Sequence, residues 1–474
     1  MKRFYALLAS LLVAVCGAQA GLRVPQIIGD AMVLQQRCDA TLWGWADPGS
    51  RITIRTSWSD APVAVRADAA GRWQAAVATP AASRAPQRVT ITDGRTTIVC
   101  DDVLIGEVWF CSGQSNMEMP LDGFWNQPVE GANDDIARSG RLAGVRMVTV
   151  PHVMASVPQE EVGGAWQRCS PATSPRFSAT AFYFARLLDE VLDLPVGIIH
   201  CSWGGSTVEG WMPGDLVAGY GDVNLADTTR TGCDDCLRPT VMYNAMLHPL
   251  HRYAIRGFLW YQGCSNVGRH ETYAARQAAM TARWRALRGS DELPFYFVEI
   301  APYDYGGADA GALLREAQHA AARMIPASGI VSTADLVRPH ERGCIHPSRK
   351  REVGERLAFL ALNRTYGLAG IACDSPTFRE MERCDDGSAV LSFDHAESGF
   401  AFAGEIEGFE AAGADGRFRP AQARLLFDER RIRVALPDGE PVAAVRYCFR
   451  DWAPAQLWSC RGLPLVPFRT DAGR

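Results

Sequence analysis

Ser115 stands in the cluster Gly-Gln-Ser-Asn, directly after the apolar run "VLIGEVWFC". A serine at the mouth of a strand suits a nucleophile, although Gly, Ser and Asn also make ordinary turns. Two further clusters of the same kind follow later apolar runs: "SWGGS" (Ser202 to Ser206) and "QGCSN" (Gln262 to Asn266). Three polar, glycine-bearing clusters at the carboxyl ends of successive predicted strands favour a site over three unrelated turns, because open α/β sheets bind ligands there. Acyl transfer needs a nucleophile, a base for its proton and donors for the oxyanion. The candidate base is His346 in "GCIHPSRK", a loop before a long helix. His200, at the end of the second strand, is its rival and reads better as a core histidine. "GQSNM" is not the Gly-x-Ser-x-Gly elbow of α/β-hydrolases. Glu107 and Glu118 form a possible glycosidase pair but read better as residues that orient a loop. Trp203, Trp211, Trp260 and Tyr261 flank the clusters, either as sugar-facing aromatics or as core. "CDDC" (Cys233 to Cys236) has no second pair for zinc and no thioredoxin-like context, so it reads as a loop disulfide.

The elements that must position these residues follow from the pattern of the chain. Residues 1–20, "MKRFYALLASLLVAVCGAQA", run from charged through apolar to small residues, the order of a secretory signal. Export to the periplasm or outside the cell is expected, with no membrane insertion of the mature chain. Residues 21–100 alternate in short runs such as "RITIRTSW", predicting an N-terminal β domain. Residues 101–372 alternate strands (Val103–Phe110, Val196–Cys201, Ile255–Tyr261, Phe295–Ile300, Gly329–Thr333) with helices (Ala179–Leu192, Tyr273–Leu287, Leu313–Ile325, Arg351–Tyr366). That predicts an α/β domain, a parallel sheet with helices on both faces. Residues 373–474 return to β alternation and predict a C-terminal β domain. A net charge of −5 carries no footprint for nucleic acid or an anionic membrane. Fourteen cysteines, thirteen of them after residue 20, favour disulfides over metal sites in an exported chain.

Five ordered segments, "CSGQSNMEMPL", "SWGGSTVEGW", "MYNAMLHPL", "GFLWYQGCSNVG" and "IHPSRKREVGERLA", together with the closing "VRYCFRDW", resemble bacterial sialate O-acetylesterases of the SGNH-hydrolase superfamily. The resemblance spans nearly the whole mature chain. It implies an SGNH-hydrolase-like, flavodoxin-like sheet flanked by β-sandwich-type domains, and a serine esterase that needs no cofactor or metal. Its substrate would be an O-acetylated sialoglycan or related acetylated sugar. Acetylxylan or other carbohydrate O-acetylesterases share the same core, and a catalytically inactive glycan-binding protein is the reading outside enzymes. Carried over residue by residue, the resemblance makes Ser115 the nucleophile and His346 the base. Gly205 and Asn266 become oxyanion donors, and Gln114, Trp203 and Gln262 contact substrate.

The chain departs from that family at two positions. Many relatives carry Glu where this chain has Cys264, and Asp where it has Cys344. Neither thiol replaces a carboxylate as an orienter of His346. The two cysteines flank one site in an exported chain, so a Cys264–Cys344 disulfide is expected to pin the two loops together. His346 would then be oriented by a backbone carbonyl or by an acid such as Asp335 or Glu299. A thiolate nucleophile at Cys264 is disfavoured by the intact "GQSN".

Overall fold

The structure is a computed structural model that describes residues 21–228, 234–401, 406–426 and 430–471. The predicted leader and Cys233 of the "CDDC" pair lie outside the described residues.

The central sheet is built from β1 (Thr97–Gly113), β2 (Val145–Thr149), β3 (Val196–Ser202), β4 (Gly257–Tyr261), β5 (Phe295–Val298) and β6 (Ser328–Val331). Their order is β6-β5-β4-β1-β3-β2, all parallel, with the two-residue strand Gln167–Arg168 antiparallel at the β2 edge. β2 was not anticipated: five residues with one arginine carry too little pattern to stand out.

Side chains alternate across a strand, and each strand here is apolar on both faces. Val108, Phe110, Ile199, Phe258 and Trp260 enter one core. Trp109, Cys111, Ile198, Leu259 and Tyr261 enter the other. Helices α2 (Ala179–Leu192) and α5 (Lys350–Leu360) supply apolar residues to the second core. Helices α3 (His270–Leu287) and α4 (Ala310–Met324) supply them to the first. Trp211, Trp260 and Tyr261 are at most 1% exposed. They are core residues, so of the two readings open for the four flanking aromatics the core one holds for these three.

The boundary read at residues 100 and 101 falls inside β1. Its first half pairs antiparallel with Ser83–Thr92 and its second half lies between β3 and β4, so one strand is continuous through both regions. The C-terminal region forms two four-stranded antiparallel sheets around a shared core that includes Leu391, Ile432, Val434 and Tyr447. Among the described residues no helix is long and apolar enough to cross a membrane.

Candidate active site

Register brings the three sequence clusters to one edge. Gly113 lies opposite both Ser202 and Tyr261, so β1, β3 and β4 end at the same level. The chains leaving them stay laced together: Trp203 N–H donates to Gly113 O at 3.0 Å, and Gln114 N–H to Tyr261 O at 2.9 Å. Gly113 has φ +138°, and a Cβ there would lie 2.1 Å from Tyr261 O, so only glycine permits this approach. Ser115 then opens a single helical turn, α1 (Ser115–Glu118).

His346 comes from the far end of the domain. Its Nε2 lies 2.7 Å from Ser115 Oγ, and its Nδ1 lies 2.6 Å from Oε1 of Gln127. An amide oxygen only accepts, so Nδ1 carries the proton and Nε2 is left to accept from the serine hydroxyl. Burial, reinforced by the nearby Lys350 ammonium, pushes His346 down to about 4, so the ring is neutral at neutral pH. The Phe124 ring packs edge-on against the imidazole, with centroids 5.1 Å apart.

Gln127 is the orienting group that the sequence could not name. Asp335 instead binds Arg356 and the indole of Trp458, tying the α/β domain to the C-terminal sheets. Glu299 binds His319, Ser332 and the Thr333 amide. Neither acid bonds His346. Gln127 sits in "GFWNQP", 219 residues before the histidine, and reads there as part of a turn.

The expected Cys264–Cys344 disulfide is not formed; both thiols are unbridged. Cys344 Sγ donates to His346 O at 3.3 Å, and burial raises the Cys264 thiol. The histidine loop is registered from the other side, by the residue after the serine. Asn116 Nδ2 donates to Ile345 O at 3.0 Å, and its Oδ1 accepts from Lys350 Nζ at 2.7 Å. Lys350 also donates to Pro347 O at 2.6 Å. Burial pulls that ammonium down to about 7. More broadly, no disulfide joins two described cysteines. Cys111, Cys201 and Cys448 are buried thiols pushed up by desolvation, and they serve as small core residues.

Gly204 and Gly205 cross directly in front of the serine. A Cβ on Gly204 would lie 3.3 Å from Ser115 Cβ, and its N–H donates to Glu118. Glu118 thus orients the "SWGG" loop, as read from the sequence. His152 pairs with it at 3.4 Å and stacks on Trp203 with centroids 4.4 Å apart. Burial opposes ionisation of Glu118, yet the His152 hydrogen bond and charge hold it below its ordinary value. Glu107 lies at the opposite end of the strands, bound by Gln35, Gln36, Arg256 and Tyr366. Gly205 has φ +76°, and its carbonyl accepts from Ser265 Oγ at 2.8 Å. The N–H groups of Ser115 and Gly205 have no acceptor among the described residues.

Asn266 is buried. Its Oδ1 accepts from Val208 N–H and from Gln262, and its Nδ2 lies 3.2 and 3.4 Å from the Glu209 carboxylate oxygens. Gln262 and Gln114 are buried as well, with amides committed inside the protein. Gln262 bonds Ser206 O, Asn266 and Tyr273, while Gln114 Oε1 accepts from Gly263 N–H at 2.8 Å. These two amides brace the loops; of the three expected substrate contacts, only Trp203 is partly exposed. His200 is 4% exposed, bonded to Ser202 and pushed down to about 4 by burial, which fits the core reading. Among the described residues no group of three His, Cys, Asp or Glu side chains is arranged to hold a metal ion.

A serine hydroxyl against a neutral imidazole, at the carboxyl edge of a parallel sheet, has the geometry of an acyl-transfer hydrolase. Comparison with known proteins narrows that class. The profile of the family "Carbohydrate esterase, sialic acid-specific acetylesterase" matches residues 105–363. A carbohydrate acetylesterase of Xanthomonas citri is 33% identical, with 95% of this chain and 99% of that one covered and a TM-score of 0.85. Sialate O-acetylesterases of rat and human are each 27% identical over 77% of this chain, and 78% and 75% of their own lengths are covered. The chain belongs to the carbohydrate esterase family of sialic acid-specific acetylesterases, and it is a carboxylic ester hydrolase.

Proposed function

We propose that the protein removes O-acetyl groups from sialic acids, with Ser115 as nucleophile and His346 as general base. The observation that carries this reading is the 2.7 Å contact of His346 Nε2 with Ser115 Oγ, beside two unengaged backbone N–H groups. Ser115 Oγ attacks the acetyl carbonyl carbon as its proton passes to His346 Nε2. The oxyanion takes hydrogen bonds from the N–H of Ser115, the N–H of Gly205 and the Asn266 amide. Collapse expels the sugar oxygen, which receives the proton from His346, and leaves acetyl-Ser115. Water then attacks with His346 again as base, releasing acetate and the free serine. Gln127 keeps Nδ1 protonated throughout, so Nε2 always faces the reacting oxygen.

The order of the sheet supports an SGNH-hydrolase-like core, and the composition of residues 1–20 supports export. A second reading, deacetylation of another acetylated sugar, draws on the Xanthomonas citri neighbour, which is described only as a carbohydrate acetylesterase. Acetate release from O-acetylated sialic acid and from acetylated xylan, measured side by side, separates the two. Preference for xylan would replace the first reading with the second.

A further inference from the structure

Phe124 and Gln127 exchange both backbone hydrogen bonds, each 2.9 Å, and so close a two-residue turn with Trp125 and Asn126 at its tip. Asn126 takes the left-handed conformation such tips require, with φ 58°. The turn is anchored at its base, where Leu121 N–H donates to Phe177 O and Asp122 N–H to Pro175 O. Both residues that close it touch the catalytic imidazole, Phe124 through its ring and Gln127 through its amide oxygen. Trp125 is 89% exposed and is the single tryptophan among the large apolar residues left open to solvent in the described chain. The indole is thus held by a hydrogen-bonded turn but left uncovered by the rest of the described chain.

The chemistry of the site says what belongs against it. The oxygen that leaves the acetyl group takes its proton from His346 Nε2, so the sugar ring carrying that oxygen lies on the imidazole's side of the serine. The turn that packs on that imidazole presents Trp125. We infer that Trp125 is a carbohydrate platform, packing its indole face on the C–H face of the sugar that bears the scissile ester or of the residue next to it. The inference rests on the esterase reading above and assigns its leaving-group subsite. An indole offers a broad, flat apolar surface with few torsions to freeze, which suits a ring with one apolar face.

The test is Trp125→Ala, assayed on ethyl acetate and on whichever acetylated sugar, sialoside or xylo-oligosaccharide, the wild-type protein hydrolyses faster. Loss of one packed aromatic contact predicts a fall of about tenfold in kcat/KM on the sugar ester, mainly through KM. Turnover of ethyl acetate, whose leaving group has no ring to pack on the indole, stays unchanged, and Trp125→Phe recovers part of the loss. An equal fall on both substrates would overturn the inference by showing that Trp125 only shapes the Gln127 turn. Unchanged sugar kinetics would overturn it too. Failure of the wild-type protein to release acetate from any sugar ester is a distinct result, and it would remove the carbohydrate reading itself.

Discussion

His200 and His346 each place Nε2 against a serine hydroxyl, at 2.6 Å from Ser202 and 2.7 Å from Ser115, and burial pushes both imidazoles down to about 4. By hydrogen bond and titration the pairs are alike. They differ in what surrounds them. His200 and Ser202 are 4% and 3% exposed, and Ser202 is part of β3, whose backbone is paired on both sides. Ser115 and His346 are partly exposed, and beside them stand backbone donors with nothing yet to bind. A Ser–His contact is therefore not a catalytic signature by itself. Unfilled donors and access for a substrate make it one, because only they can stabilise charge that develops in the transition state.

Mutating the two serines breaks or upholds this contrast most directly. Ser115→Ala is expected to cost roughly 10⁴–10⁶ in kcat, with an unchanged melting temperature. Ser202→Ala is expected to keep kcat within about threefold and to lower stability by about 1–3 kcal/mol, since His200 loses a buried partner. Comparable kinetic losses from both would show that the second pair takes part in catalysis.

Next in size is Asn266→Ala, with a fall of roughly 10²–10³ in kcat if its amide serves the oxyanion. It also takes the acceptor from Val208 N–H and Gln262, so melting temperature should drop as well. A drop in melting temperature with full kcat would leave Asn266 as a brace only.

Gln127 separates positioning from charge. Gln127→Ala is expected to lower kcat by about 10- to 100-fold with little change in KM, as the imidazole loses its tautomer lock. Gln127→Glu keeps the acceptor and adds a negative charge beside Nδ1, which favours the imidazolium. The base works only when neutral, so activity is lost as pH falls through the His346 pKa. In the wild-type protein the acid limb of kcat/KM should therefore lie near 4, well below the usual histidine range. In Gln127→Glu it should move to higher pH. A pH–rate profile that stays fixed in this variant would separate Gln127 from the base.

The smallest expected effect is that of reductant. With Cys264 and Cys344 unbridged, dithiothreitol and Cys264→Ser should each leave kcat within about twofold, the range of an ordinary context effect. A clear loss under reduction before unfolding would mean that a bridge forms in solution.

Some of this was legible without coordinates. Apolar runs with glycine and serine after them placed the strand ends, and helix periodicity gave Ala179–Leu192 its observed bounds. Those signals are local: a period of two or of 3.6 is carried by neighbours in the chain. Ser115 and His346 were found by the chemistry their types permit and by ordered motifs that resemble a known family. What the sequence withheld was partnership across distance. Gln127 orients His346 from 219 residues away, and Asn116 fixes the histidine loop from 229 residues away through Ile345 O. An amide can bind almost any polar group, so its composition does not reveal which one it meets. The cysteines show the converse, since two thiols expected to bridge lie near one site and remain apart. The sequence by itself determined most of the strands and helices, and its residue types and motifs pointed to Ser115 and His346. Only the tertiary structure decided which neutral group binds His346 and which of the two serine-bound histidines stands at an accessible serine, because those depend on register, burial and the last hydrogen-bond valence left open.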